Sequence, residues 1–120
     1  EEIELKIVTE IKQGALVVRI NGELDMHGAE MFRQTVDQAL DDSGVKHIVL
    51  NLEKVPFVDS AGLGVILGRY KKVSLQGGRM AAAHIQPQAA RVMELSGLFR
   101  IIRNHKTEAE ALDQLWGEHS

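Results

Sequence analysis

Apolar and polar residues alternate over residues 3–11 (IELKIVTEI), placing Ile3, Leu5 and Ile7 on one face, and Gly14 then turns the chain into the apolar stretch ALVVRI. The pattern predicts a hairpin entering a sheet. Gly22 closes the second strand. From Met26 to about Asp42 the residues Ala29, Phe32, Val36, Ala39 and Leu40 recur at helical spacing, which predicts a first helix stopped by Ser43 and Gly44. The run HIVLNL is short and rich in β-branched residues, as expected for a central strand covered on both faces. Pro56 breaks the following loop, and a second helix from about Ser60 to Ser74 carries Leu63, Ile66, Leu67, Tyr70 and Val73 inward until Gly77-Gly78 ends it. RMAAAHI reads as the next strand, its small alanines suiting close helix packing. Pro87 opens a third helix to about Ser96, with Gly97 behind it. A short IIR strand and a helix from Thr107 to Trp116 complete the pattern.

Strands separated by helices after an opening hairpin favour an α/β fold, with a mixed, mostly parallel sheet of about five strands and about four helices. Parallel neighbours require crossovers, and these are right-handed. No repeat, low-complexity tract or linker marks a boundary, so residues 1–120 are expected to form one domain. A composition 44% hydrophobic supplies a core for a chain of this length. The absence of cysteine removes disulfides, thiolate metal sites and thiol catalysis. A formal charge of −3 has the wrong sign for a phosphate-backbone footprint, so no nucleic-acid partner is expected. Apolar runs fall far short of the roughly 20 residues needed to cross a bilayer. No basic-then-apolar leader opens the sequence, and a soluble, cytoplasmic protein without a membrane partner is expected.

The most unusual composition lies in VPFVDSAGLGVILGRYKK, where an apolar loop delivers Asp59 and Ser60 to a helix with Gly62 and Gly64 in its first turn. Capping by Asp or Ser, with the glycines allowing tight helix-to-sheet packing, is one reading. A contact surface is the other, because each such glycine costs up to roughly 1 kcal/mol relative to alanine. Gly62, Gly64 and Gly68 form G-x-G-x-x-x-G, one residue too long for a dinucleotide fingerprint, and His84 and Ile85 stand where an acidic ribose ligand belongs. No Gly-Lys-Ser or Gly-Lys-Thr occurs. Val58 replaces the first glycine of a hydrolase G-x-S-x-G around Ser60.

Histidines 27, 47, 84, 105 and 119 are scattered without ligand spacing, so no metal is expected, and His47 and His84 are read as hydrogen-bonded structural residues. Asp41 and Asp42 are read as solvated, and Trp116 as packing. A second special loop, NGELD at residues 21–25, places Glu23 and Asp25 near a helix start. If this loop and the Asp59-Ser60 loop share one carboxyl edge, acidic groups surround one hydroxyl.

In order along the chain, NGELD, HIVLNLEKVPFVDSAGLGVILGRYKK and VMELSGLFRII resemble the STAS-domain anti-sigma factor antagonists, most nearly the sporulation members that act on the anti-sigma-F factor. The resemblance spans roughly residues 15 to 112, with D-S-x-G-L-G its most specific element. It implies a single STAS-type domain that is not an enzyme and carries no catalytic residue, cofactor or metal. It implies further that Ser60 is phosphorylated by the anti-sigma factor, itself a serine kinase, and dephosphorylated by a PP2C-type phosphatase. Ala61 stands where some relatives have a second serine, which leaves one acceptor. The unmodified partner-binding surface is expected to comprise Gly22, Glu23, Leu24, Asp25, Asp59, Ala61, Gly62, Leu63 and Ile66. Docking there would displace and free sigma-F. Other readings are a general stress-response antagonist or adaptor, or a small nucleotide-binding or hydrolytic enzyme using Ser60.

Overall fold

The computed structural model describes residues 5–117. Ile3 and His119 therefore lie outside the described residues. One five-stranded sheet runs in the order β1 (Lys6–Lys12), β2 (Ala15–Asn21), β3 (His47–Lys54), β4 (Met80–Ala83), β5 (Arg103–His105). Only β1 is antiparallel to its neighbour; β2, β3, β4 and β5 pair in parallel, and β3 is central as its composition predicts. The hairpin turn is two residues long, since Lys12 pairs with Ala15, and Gln13 and Gly14 both have positive φ (51° and 76°). Such a turn matches the right-handed twist of the strands it joins.

Helices α1 (Ala29–Ser43), α2 (Ser60–Leu75) and α3 (Pro87–Leu95) belong to the crossovers that link β2, β3, β4 and β5. Their apolar residues Phe32, Val36, Leu40, Ile66, Val73, Ala89 and Met93 join Leu16, Val18, Ile48, Leu50 and Ala82 in the main core. The opposite sheet face is covered by α4 (Glu108–Gly117), where Ala111, Leu112 and Leu115 pack on Ala15, Val17, Val49, Ala81 and Ala83. The alanines of β4 thus admit the close helix expected of them. At the start of α4, Glu108 accepts from Arg19 Nε at 2.8 Å and from Asn51 Nδ2 at 2.7 Å, which ties the helix to β2 and β3. These bonds hold the Glu108 carboxyl down at about 2, Arg19 being the largest cause.

Several boundaries differ from those the pattern predicts, among them the RMAAAHI strand, which is confined to Met80–Ala83. The last strand is Arg103–His105 rather than IIR, because a 3-10 turn over Leu98–Arg100 continues into Ile102, whose N–H donates to the Leu98 carbonyl at 2.9 Å. Ile102 is fully buried, but from a turn. Helix α1 starts at Ala29 instead of Met26, since Asp25 Oδ1 captures the N–H groups of His27 and Gly28, both at 3.0 Å, in a turn of its own. His47 is structural as expected: its Nδ1 accepts from Arg79 N–H at 3.0 Å, and its ring meets Trp116 edge-on at 4.6 Å. The Trp116 indole donates to the Gln13 carbonyl at 2.7 Å and packs over the hairpin turn at Gly14.

Candidate functional site

Parallel strands send their carboxyl ends, and the loops that follow them, to one edge of the sheet. Two of those loops are joined here as a continuation of the sheet. Gly22 N–H donates to Lys54 O at 3.0 Å, Leu24 N–H to Phe57 O at 3.0 Å and Asp59 N–H to Leu24 O at 3.3 Å, and Leu24 bridges Val58 in parallel. Side chains alternate along this ribbon: Leu24 and Val58 point into the core, while Glu23 and Phe57 are exposed. The adjacency of NGELD and the Asp59-Ser60 loop, which spacing alone leaves open, is thus realised.

Asp59 is the joint between the two loops and the helix. Its extended backbone (φ −103°, ψ −171°) makes it the N-cap of α2, with Oδ1 accepting from Gly62 N–H at 2.9 Å. Oδ2 accepts from Met26 N–H at 3.1 Å. Both carboxylate oxygens are committed to backbone donors, one in each segment. Ser60 follows as the first helical residue, exposed at the rim, and among the described residues its hydroxyl has no hydrogen-bond partner. Among the described residues no side chain is hydrogen-bonded to it as the base of a serine hydrolase would be.

The two early glycines of α2 have different roles. A Cβ on Gly62 would collide with the Leu24 carbonyl oxygen, so only glycine lets the helix approach the ribbon this closely. Gly64 has open space where its Cβ would be, and Gly68 likewise, so the tight packing expected of Gly64 is absent. A cavity of about 190 Å³ lies away from this edge, bounded by Tyr70, Ser74, Arg79, Ile101, Arg103 and His105 among others, rather than beside the glycines. Among the described residues no group of three or more acidic or histidine side chains could hold a metal ion.

Of the expected partner-contacting residues, Glu23 is exposed, and Asp25, Asp59, Ala61 and Leu63 are partly exposed around Ser60. Leu24 and Ile66 are a correction: both have zero exposure, so neither side chain can touch a docked protein while the domain stays folded. Gly22 and Gly62 are also buried, and they shape the ribbon rather than face outward. Met26 and Phe57, absent from the expected surface, are 69% and 44% exposed beside this ribbon. Helical spacing puts Met26 in the first helix and Phe57 falls in an apolar loop, and no periodicity distinguishes an outward apolar side chain in so short a segment.

Behind the rim, α1 and α2 are held together by charge. Arg69 Nε lies 2.9 Å from Asp37 Oδ1 but off the N–H axis, so this contact is an ion pair without a well-formed hydrogen bond. Burial lowers the affinity of the Arg69 guanidinium for its proton, and Asp37 opposes that shift. Lys72 Nζ reaches Asp37 and Asp41 at 3.7 Å each, so Asp41 takes part in this link although it is largely solvated.

Comparison with known proteins agrees with this geometry. A family model described as the STAS domain matches residues 6–111. An anti-sigma F factor antagonist of Paenibacillus polymyxa is 43% identical over 113 residues, covering 94% of this chain and 97% of that one. Two solved structures of the anti-sigma factor antagonist SpoIIAA are similar throughout. The unphosphorylated form superposes with a TM-score of 0.80 at 31% identity, covering 96% of this chain and all of that one. The phosphorylated form, described as that of the Bacillus cell fate determinant, gives 0.70 at 32% identity and covers 91% and 98%.

Proposed function

The chain belongs to the STAS-domain family, and from that membership and the edge built around Ser60 we propose that it is an anti-sigma factor antagonist switched by phosphorylation of Ser60. The observation that carries the reading is the exposure of Ser60, its hydroxyl unbonded among the described residues, at a helix start where two loops converge. The identity to an anti-sigma F factor antagonist supports the sporulation branch, with sigma-F as the factor released when the anti-sigma factor is engaged. The partner is a serine kinase that is the anti-sigma factor itself, and a PP2C-type phosphatase restores the unmodified form.

In the phosphorylation step the Ser60 oxygen attacks the γ-phosphorus of the kinase's nucleotide. An Oγ–P bond forms, the bond to the bridging oxygen breaks, and the nucleoside diphosphate leaves. The hydroxyl proton goes to a base supplied by the kinase, since among the described residues no side chain is hydrogen-bonded to the Ser60 hydroxyl. The chain acts as substrate and ligand, not as enzyme.

The consequence follows from comparing magnitudes. A phosphate adds roughly −1.5 to −2 charges beside Asp59. The N-terminal end of α2 favours that anion by about 0.3 to 1 kcal/mol, so the domain keeps its fold. Enclosing the same charge unpaired in an interface costs several kcal/mol, and about 3 kcal/mol already corresponds to more than a hundredfold loss of affinity. Binding is lost while the scaffold persists. In calorimetric titrations with the anti-sigma factor, Ser60→Asp should fold normally and bind at least tenfold more weakly, and Ser60→Ala should bind but accept no phosphate. Equal affinity of the phosphorylated and unphosphorylated proteins would refute the switch.

A further inference from the structure

Met26 and Phe57 are large apolar side chains that the fold pushes into solvent at the Ser60 edge, 69% and 44% exposed. Neither position is loose. The Met26 amide is bonded to Asp59 Oδ2, the Phe57 carbonyl accepts from Leu24 N–H, and the neighbouring Val58 is locked in the core. An exposed apolar side chain on a mobile tip is ordinary, but two on a hydrogen-bonded ribbon beside one hydroxyl form a preorganised contact. Methionine adapts its shape to a partner and phenylalanine brings a rigid face, a combination common at recognition surfaces.

We infer that Met26 and Phe57 are the apolar anchors by which the kinase partner seats itself over Ser60, entering an apolar cleft on that partner. The inference rests on the proposed function, and continuity with Ser60 is what selects the occupant. A protein that brings a phosphoryl donor into line with the Ser60 oxygen must cover the residue bonded to Asp59 and the ribbon leading to it. Charge points the same way. Glu23 and Asp25 border the two anchors, so the cleft that receives them carries a basic margin.

The test uses Met26→Ser and Phe57→Ser, with Leu75→Ser as a control for losing apolar surface elsewhere, since Leu75 is 89% exposed at the far end of α2. Affinity for the nucleotide-loaded anti-sigma factor and the initial rate of Ser60 phosphorylation are measured beside thermal melts and sedimentation. Each anchor variant should bind about tenfold more weakly or worse, as truncated anchors near an interface centre do. Its melting temperature should match the wild type, and Leu75→Ser should bind normally. If the wild type binds and both anchor variants bind within twofold of it, the anchors are refuted while the switch stands. If the wild type does not bind, the proposed function fails and the anchors with it. Two further results would overturn the assignment: loss of binding that tracks loss of stability, or a wild-type self-association that the anchor variants abolish.

Discussion

Replacing Asp59 by alanine removes two acceptors at once and should loosen the junction between the loops without unfolding the domain. The Oδ1 bond to Gly62 N–H is an N-cap, worth about 1 kcal/mol. The Oδ2 bond to Met26 N–H is also charge-assisted, but Met26 is exposed and water can take the carboxylate's place, so it contributes about 1 kcal/mol at most. The expected total for Asp59→Ala is about 2 kcal/mol, or roughly 6 to 10 °C in melting temperature for a chain of this length. Asp59→Asn keeps one acceptor oxygen and turns an NH2 toward the other donor, so about half of that loss is expected. Circular-dichroism melts give the totals, and amide hydrogen exchange locates them. Protection should fall at Gly62 and Met26 in the alanine variant while the amides of β3 stay protected. An alanine variant within about 0.5 kcal/mol of wild type, or unchanged exchange at Met26, would show that the Asp59 side chain does not join the two segments.

Ile66→Ala and Leu63→Ala should act by different routes although they stand three positions apart on α2. Ile66 is fully buried, so its truncation costs about 2 to 5 kcal/mol, read as a lower urea midpoint. Leu63, partly exposed beside Ser60, should lose partner affinity with a smaller stability cost, read by titration; identical outcomes for the two would discredit the assigned face. The Glu108 carboxyl sits at about 2, below its ordinary 4.5, so its bonds stabilise the fold fully above pH 4.5 and are lost as pH falls toward 2. Glu108→Gln should flatten that part of the acid-unfolding curve and cost about 2 kcal/mol at neutral pH, and an unchanged curve would mean that the Arg19 and Asn51 bonds carry no net stability.

The parts of the fold legible in the sequence are those where one physical demand acts alone. Phe32, Val36 and Leu40 share a helical face because only burial against the sheet selects them, and β3 reads as central because both of its faces are dry. Legibility fails where two demands compete. Ile101 and Ile102 look like the start of a strand, yet a helical turn delivers Ile102 to the core before the chain extends. Met26 has helical neighbours, but the Asp25 side chain claims the amides that a helix start would leave open. At the candidate site the motif located the hydroxyl and its loops. Helical spacing points Ile66 inward, in conflict with its place on the expected partner surface, and nothing in the motif shows that Leu24 faces inward too, because a contact surface and a core wall both call for apolar residues. The Arg19–Glu108–Asn51 network was equally invisible, since its members are separated by as many as 89 positions and meet only when α4 folds back.

The ribbon joining Leu24 to Val58 is assembled from bonds that leave the Ser60 oxygen out. A mark written on that oxygen can therefore be erased without any part of the scaffold having to be rebuilt. Under the proposed switch, such a device would have no refolding lag and would keep no record of its earlier state, so the tempo of the response would belong to the enzymes that write and remove the mark.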